Sequence, residues 1–333
     1  MPPARLDGWR ADDQGAALGA FLRSCPVILG RNGHGPLGGV AGAGDTGRWQ
    51  RLCAVAAATP PDRARTFFER NFVAVPQARG ERTYDGLFTG YYEPLLRGAR
   101  WPSERFRYPL HRAPGNLAAR RGHPLLARAA IDRGALAREA LELVWVDDPI
   151  AKFFLQIQGS GQVELGGGER IRVGYAGQNG HPYRAIGRDL IEAGHIQPEL
   201  MSMQAIDGWL RAASPTEAFG LMHRNPSYVF FRELGPVIDT PGPIGAMGVP
   251  VTPGRSLAVD RDHTPLGSLV WVETTAPTPA GEQPLRRLMV AQDVGGAIRG
   301  PVRGDVFWGA GPEAEYAAGH MKQPGRLWQL VPR

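Results

Sequence analysis

Long hydrophobic runs are missing from this 333-residue chain: stretches such as Ser268–Val272 and Leu288–Ala291 fall far short of the roughly 20 apolar residues that cross a bilayer. A membrane-spanning helix is therefore not expected. Lysine is nearly absent, with Lys152 and Lys322 the only two among 38 basic residues. The net charge of +6 is thus almost all arginine, scattered and without a basic run carrying interleaved aromatics, and a nucleic-acid partner is disfavoured. Cysteine is scarce too: Cys25 and Cys53 have neither CxxC nor Cys/His spacing, which argues against zinc. They read as two buried thiols or, in a protein working outside the cytoplasm, as a disulfide tying two helices together. The eight histidines do not cluster at ligand spacing and no HExxH pattern occurs, so no metal site is expected. A basic-then-apolar leader and a lipid-anchoring cysteine are both lacking in Met1–Arg10, which taken literally reads as cytoplasmic.

Glycine (45) and proline (30) are abundant without low-complexity repetition, which points to many turns and short strands. At about 100–200 residues per domain the chain has room for two. Apolar spacing predicts helices over Asp13–Arg23, Asp45–Ala58 and Asp62–Phe72, then a strand and turn over Tyr84–Tyr92. The central part reads as strands at Glu142–Val146, Phe153–Gln158, Gln162–Leu165 and Ile171–Tyr175, followed by helices at Ile186–Ala193 and Pro198–Ala212. The C-terminal part reads as strands at Leu257–Asp260, Ser268–Glu273, Leu288–Asp293, Val302–Trp308 and Arg326–Val331, with one helix at Pro312–Met321, a pattern that suggests a small barrel. The expected division is residues 1–96 with 233–333 as one domain and 97–232 as a second.

Gly42–Gly47 matches G-x-G-x-x-G and precedes a helix, but no strand leads into it and Thr59-Pro60-Pro61-Asp62 replaces the acidic strand end that a dinucleotide fold needs. No G-x-S-x-G setting supports a serine hydrolase. Three aspartates rise above this background: Asp260 and Asp293 end apolar runs and Asp305 starts one. A carboxylate there is costly unless hydrogen-bonded or used. Each alone could cap a turn; three so placed suggest a shared acidic cleft. A second group, Phe88–Pro94, Gln156–Gly161 and Val173–Gly180, sets Tyr, Gln, Asn and Ser beside Gly, which offers flat apolar faces and neutral hydrogen-bonding groups suited to a sugar ring.

These residues make the chain resemble the membrane-bound lytic murein transglycosylase A family, whose C-terminal part is the three-aspartate (3D) domain. The likeness runs through Phe88–Pro94, Phe154–Gly161, Val173–Gly187, Asn225–Phe231, Gly245–Val249, Pro253–Asp260 and Gln292–Gly319. It implies a mainly β fold with N-terminal helices: a double-psi β-barrel assembled from both ends of the chain, a second β domain inserted into it, and a glycan groove between the two. It implies cleavage of the β-1,4 bond between N-acetylmuramic acid and N-acetylglucosamine without water, leaving 1,6-anhydromuramic acid ends, with no cofactor. By the same resemblance Asp305 is the catalytic acid and then base, with Asp293 supporting it electrostatically and Asp260 more structural. A single acid suffices in principle because the sugar's own 6-hydroxyl is the nucleophile, at high effective concentration.

Thr89, Gly90, Tyr91, Tyr92, Gln156, Gln158, Gly159, Ser160, Tyr175, Asn179, Tyr183, Asp260, Gly295, Gly296 and Ala297 are the expected substrate-binding residues. The partner implied is the peptidoglycan glycan strand, with other cell-wall enzymes as candidate associates, a monomer as the expected state, and a periplasmic or outer-membrane location. Two other readings stay open: a hydrolase on the same scaffold with Asp293 acting on water, and a non-catalytic, expansin-like glycan binder.

Overall fold

The computed structural model describes residues 1–80, 83–115, 126–237 and 241–333. Helices α1 (Gln14–Leu29), α2 (Thr46–Ala57) and α3 (Ala64–Asn71) come first, then strands β1 (Phe72–Pro76) and β2 (Gly86–Glu93). The middle of the chain carries β3 (Leu95–Ala99), β4 (Tyr108–His111), α4 (Arg128–Asp132), β5 (Glu142–Val146), α5 (Pro149–Gln158), β6 (Ser160–Glu164) and β7 (Arg170–Gln178). It continues with α6 (Gly187–Glu192), α7 (Met203–Ala212), α8 (Pro215–Met222) and β8 (Val229–Pro236). The last part holds β9 (Ser256–Val259), β10 (Leu269–Thr278), β11 (Gly281–Asp293), β12 (Arg303–Ala310), α9 (Pro312–His320) and β13 (Lys322–Pro332). Two compact units result: Met1–Tyr92 with Ile244–Arg333, and Glu93–Pro243. The return expected at residue 233 falls inside β8, whose pairing with β7 carries the inserted sheet on to Pro236.

In the first unit six strands close into a barrel in the order β13-β10-β11-β9-β12-β2, with β2 pairing back onto β13 from Lys322↔Thr89 to Gly325↔Gly86. Strand β1 adds to β13 outside the closure. Closure leaves few free sheet edges, and the period-two alternation of each strand decides what fills the inside. Val270 and Val272 of β10 point inward with Phe88, Leu257, Val259, Val306 and Leu327. Leu269 and Trp271 of the same strand point outward, where Phe21 of α1 and Trp49 of α2 pack on them. A disulfide between Cys25 and Cys53 joins α1 to α2, with Cα atoms 5.4 Å apart, so of the two readings of the cysteines the disulfide holds. Helix α1 runs past the expected stop at Arg23, over Pro26, because Ala17, Phe21, Cys25 and Ile28 continue one buried stripe.

The inserted unit is a six-stranded sheet in the order β4-β5-β3-β6-β7-β8, built around Leu96, Val144, Leu155, Val163, Val173 and Phe231. The expected strand at Phe153–Gln158 is instead α5. Asp148 caps it by accepting from the N–H groups of Ile150 and Ala151, Pro149 takes the first helical position, and Gly159 closes it in the left-handed conformation at φ 81°. Those start and stop signals outweigh the short apolar run. The helix expected over Pro198–Ala212 begins only at Met203, where Ser202 supplies the cap, and is preceded by a short 3₁₀ turn at Pro198–Leu200.

Candidate active site

Alternation along two neighbouring strands builds the site. On β2, Phe88 faces the barrel interior, so Thr89 and Tyr91 face outward; on β12, Val306 faces inward, so Arg303, Asp305 and Phe307 face outward. Thr89 Oγ1 donates to Asp305 Oδ1 at 2.5 Å. Tyr91 donates its hydroxyl to Asp293 Oδ2 at 2.9 Å, and its ring packs against Phe307 with centroids 5.1 Å apart. Asp293, at the end of β11, accepts on Oδ1 from the N–H groups of Ala246 and Val294, both at 2.9 Å. Gly90 faces Trp308 from the same pair of strands: a Cβ there would lie 2.6 Å from the indole Nε1, so only glycine lets the two strands carry the ring at this point.

The electrostatics of the pair follow from burial without a cation in contact. No lysine or arginine nitrogen lies within salt-bridge distance of Asp305 or Asp293 among the described residues. Burial pushes Asp305 up to about 6, with Asp293 adding to the rise, while the Thr89 hydrogen bond and the more distant Arg303 charge pull the other way. Burial also raises Asp293, against the two backbone N–H bonds and Tyr91. Tyr91 is itself driven well above its ordinary value, first by burial and then by Asp293, and so remains a neutral donor. A carboxylic acid that holds its proton to near pH 6 can deliver it to a leaving oxygen.

Asp260 lies apart from this group. Its oxygens accept from the N–H groups of Gly300 at 2.8 Å and Asp262 at 3.2 Å; burial opposes its ionisation, but those bonds hold it below the usual carboxylate range. It ties the end of β9 to the Gly-rich turn after β11, the turn-capping role that a lone aspartate can have. In that turn Gly295, half-buried, and Gly296 and Ala297, exposed, have N–H groups free of hydrogen bonds among the described residues, while Ile298 closes the turn onto the carbonyl of Gly295. Tyr92 donates to Glu315 of α9 at 3.2 Å.

Of the candidates on the inserted unit, Gln156 and Asn179 are turned inward. Gln156 accepts from Arg128 and donates to the Val229 carbonyl, and Asn179 bonds the carbonyls of Leu126 and Pro226 and the N–H of Tyr228. Gly159 caps α5, Ser160 opens β6 as a buried residue, and Gln158 is half-buried. Tyr175 and Tyr183 are half exposed. A cavity of about 360 Å³ in this unit is lined by Lys152, Asp132, Arg128 and His111, but Lys152 donates to Asp132, Arg128 to Gln156 and the carbonyls of Asn225 and Ser227, and His111 bonds the Tyr228 hydroxyl. The residue that sequence reasoning missed is Arg303 as a member of the outward face; its spacing of two from Asp305 on one strand was the signal that could have found it. Among the described residues no group of three or more His, Cys, Asp or Glu side chains converges to hold a metal ion.

A closed barrel carrying on its outer wall a half-buried aspartate able to hold a proton, with a β unit inserted before its later strands, has the kind of site that an acid-catalysed enzyme uses. Comparison with known proteins makes this specific. The MltA specific insert domain matches residues 87–232 and the 3D domain matches residues 255–331. Membrane-bound lytic murein transglycosylase A of Escherichia coli strain K12 is 38% identical over 261 residues, 76% of this chain and 68% of that one. Among solved structures, the lytic transglycosylase LtgG of Burkholderia pseudomallei is 43% identical, with a TM-score of 0.66, over 100% of this chain and 94% of its own. Escherichia coli MltA with bound chitohexaose is 31% identical, with a TM-score of 0.77, over 96% of this chain and 89% of its own. The chain belongs to the membrane-bound lytic murein transglycosylase A family.

Proposed function

We propose that this protein cleaves the β-1,4 bond between N-acetylmuramic acid and N-acetylglucosamine in peptidoglycan without water, leaving 1,6-anhydromuramic acid ends. Asp305 protonates the leaving oxygen and, as the resulting carboxylate, accepts the proton of the 6-hydroxyl that attacks C1. The observation that carries this reading is the contrast between the two carboxylates. Asp305 Oδ2 has no hydrogen-bond partner among the described residues, whereas both oxygens of Asp293 are occupied, by Tyr91 and by two backbone N–H groups. A hydrolase would need a second carboxylate free to activate water or to attack the sugar; Asp293 is committed elsewhere and acts through its charge. The free N–H groups of Gly295–Ala297, or the substrate's own N-acetyl group, are the candidates to stabilise the oxocarbenium-like transition state.

The chitohexaose held by the Escherichia coli relative supports a glycan strand as the ligand, and the relatives' name supports a periplasmic site associated with the outer membrane. The Cys25–Cys53 disulfide agrees with an oxidising compartment. No helix among the described residues is long and apolar enough to cross a membrane. Digestion of purified sacculi by the protein and by Asp305→Asn, read by mass spectrometry, tests the reaction. Muropeptides one water lighter than hydrolysis products, absent from the variant digest, are expected; reducing ends would move the reading to a hydrolase, and binding without cleavage to a glycan-binding module.

A further inference from the structure

Asp305 has two oxygens in unlike settings: Oδ1 is bound by Thr89, and Oδ2 has no hydrogen bond among the described residues. We propose that Arg303 is a positioning residue that, acting through Thr89, fixes Oδ1 of Asp305 as an acceptor and so places the transferable proton on Oδ2. The proposal rests on Asp305 being the acid of the reaction proposed above.

The polarity follows from counting protons. A threonine hydroxyl has one proton to give and two lone pairs to receive. Arg303 Nη2 donates to Thr89 Oγ1 at 2.9 Å, and a guanidinium cannot accept, so the hydroxyl proton must go elsewhere. Asp305 Oδ1, at 2.5 Å, is its acceptor. With the polarity reversed, Asp305 donating from Oδ1 to Thr89, the Thr89 proton would have no acceptor among the described residues. Arg303 is held for this task by the carbonyls of Leu87 at 3.3 Å and Gly304 at 2.6 Å, both reached from Nη1, which leaves Nη2 aimed at Thr89.

The arrangement has a chemical consequence. When Oδ2 gives its proton to the glycosidic oxygen, the C1–O bond breaks with its electron pair going to the departing sugar, and negative charge appears on the carboxylate. The Thr89 hydrogen bond, polarised by Arg303, then strengthens on Oδ1, a bond stronger to the ion than to the acid. The 6-hydroxyl attacks C1 and returns one proton to Oδ2, so the enzyme ends as it began. The charged and titratable groups that face Asp305 are Arg303 of β12, Asp293 of β11 and the neutral Tyr91 of β2. Asp293 opposes the anion, and Arg303 with Thr89 is what favours it.

The test uses the full chain and two readouts. Carbon-13 NMR of carboxyl-labelled aspartate follows the titration of Asp305, assigned by its loss in Asp305→Asn, and the pH–rate profile follows release of anhydromuropeptides from sacculi. Thr89→Val and Arg303→Ala are each expected to raise the Asp305 midpoint by about one unit, since the ion loses a donor or a charge. They should lower kcat by about tenfold or more with KM little changed. Thr89→Ser, which keeps the hydroxyl, should bring back most of the midpoint shift and of kcat, a rescue that a merely structural role for the β2–β12 contact would not give. If Arg303→Ala, folded by its melting curve, leaves both the midpoint and kcat within twofold of the parent, the proposal is wrong; Arg303→Gln repeats the test should the alanine variant fail to fold. A shifted midpoint in a protein that releases no anhydromuropeptide would support the hydrogen-bond assignment and overturn the reaction assigned to the site.

Discussion

Two regions of the molecule, one in each unit, bury acidic groups in opposite ways. In the inserted unit, Asp132 is paired with Lys152 at 2.9 Å, and Glu93 is clasped by Arg172 through Nε at 2.5 Å and Nη2 at 3.0 Å, with Gln162 adding a bond at 2.8 Å. Burial alone would raise Asp132, but the Lys152 charge and the hydrogen bonds of His223 and Lys152 hold it well below the usual carboxylate range. In the barrel unit, Asp305 and Asp293 are enclosed with hydroxyl and N–H donors only, and burial prevails. The same residue type is thus fixed as a structural anion where a cation completes it and left able to hold a proton where none does. The acid proposed to react is the one that the fold leaves without a cation in contact.

The sharpest way to break this contrast is to neutralise Asp305. Asp305→Asn should reduce anhydromuropeptide release by roughly a thousandfold, within the range of general acid catalysis. The same change should stabilise the protein. A carboxyl whose midpoint rises on folding binds more protons native than unfolded, so stability falls as pH rises from about 4 to about 6, and the asparagine variant avoids that loss. Its advantage should be absent below pH 4 and approach about 3 kcal/mol above pH 6, measured by urea unfolding across that range.

The same change in the other unit should act with the opposite sign. Asp132→Ala leaves Lys152 buried and unpaired, and should destabilise by about 3–5 kcal/mol, while the double change Asp132→Leu with Lys152→Met should recover much of that. A double-mutant cycle by thermal melting checks it; equal and additive losses would show that the pair is not what holds this region.

How much of this the sequence disclosed depends on the kind of signal. The barrel strands were legible because their short apolar runs are bounded by Gly and Pro turns, and Asp293 and Asp305 stood out because a carboxylate at the end of an apolar run demands a reason. Phe153–Gln158 was misread because six residues cannot distinguish a strand from a helix by periodicity, and the deciding information lay outside the run, in Asp148-Pro149 and Gly159. Strand β8 was passed over because Arg232 and Glu233 interrupt its apolar pattern; its place comes from pairing with β7, a tertiary fact. Thr89 and Tyr91 were expected to touch sugar, and what they touch in the protein is the two aspartates, a cross-strand relation that no local pattern reveals. Gln156 and Asn179 looked like open polar groups because Gly and Ser surround them, but buried Arg128 and the Pro226–Tyr228 backbone take up their hydrogen bonds.

A smaller effect sharpens the comparison at the N-terminal helices, which contribute packing to the barrel rather than chemistry. Closing a 28-residue separation with a disulfide restricts the unfolded chain by about 3.5 kcal/mol in the chain-entropy picture. Cys25→Ser with Cys53→Ser should therefore lower the melting temperature by on the order of 10 °C while leaving the pH–rate profile of the remaining folded enzyme in place. A shifted profile would mean that the helices reach the site electrostatically.

The most direct measurement is digestion of sacculi in water enriched in oxygen-18, with the products analysed by mass. If Asp305 works alone with the sugar's own 6-hydroxyl, the new ends are anhydro and carry no oxygen-18 beyond background. Incorporation of one labelled oxygen at C1 of each new end would mean that water is the nucleophile, and the single-acid mechanism built on Asp305 would be contradicted.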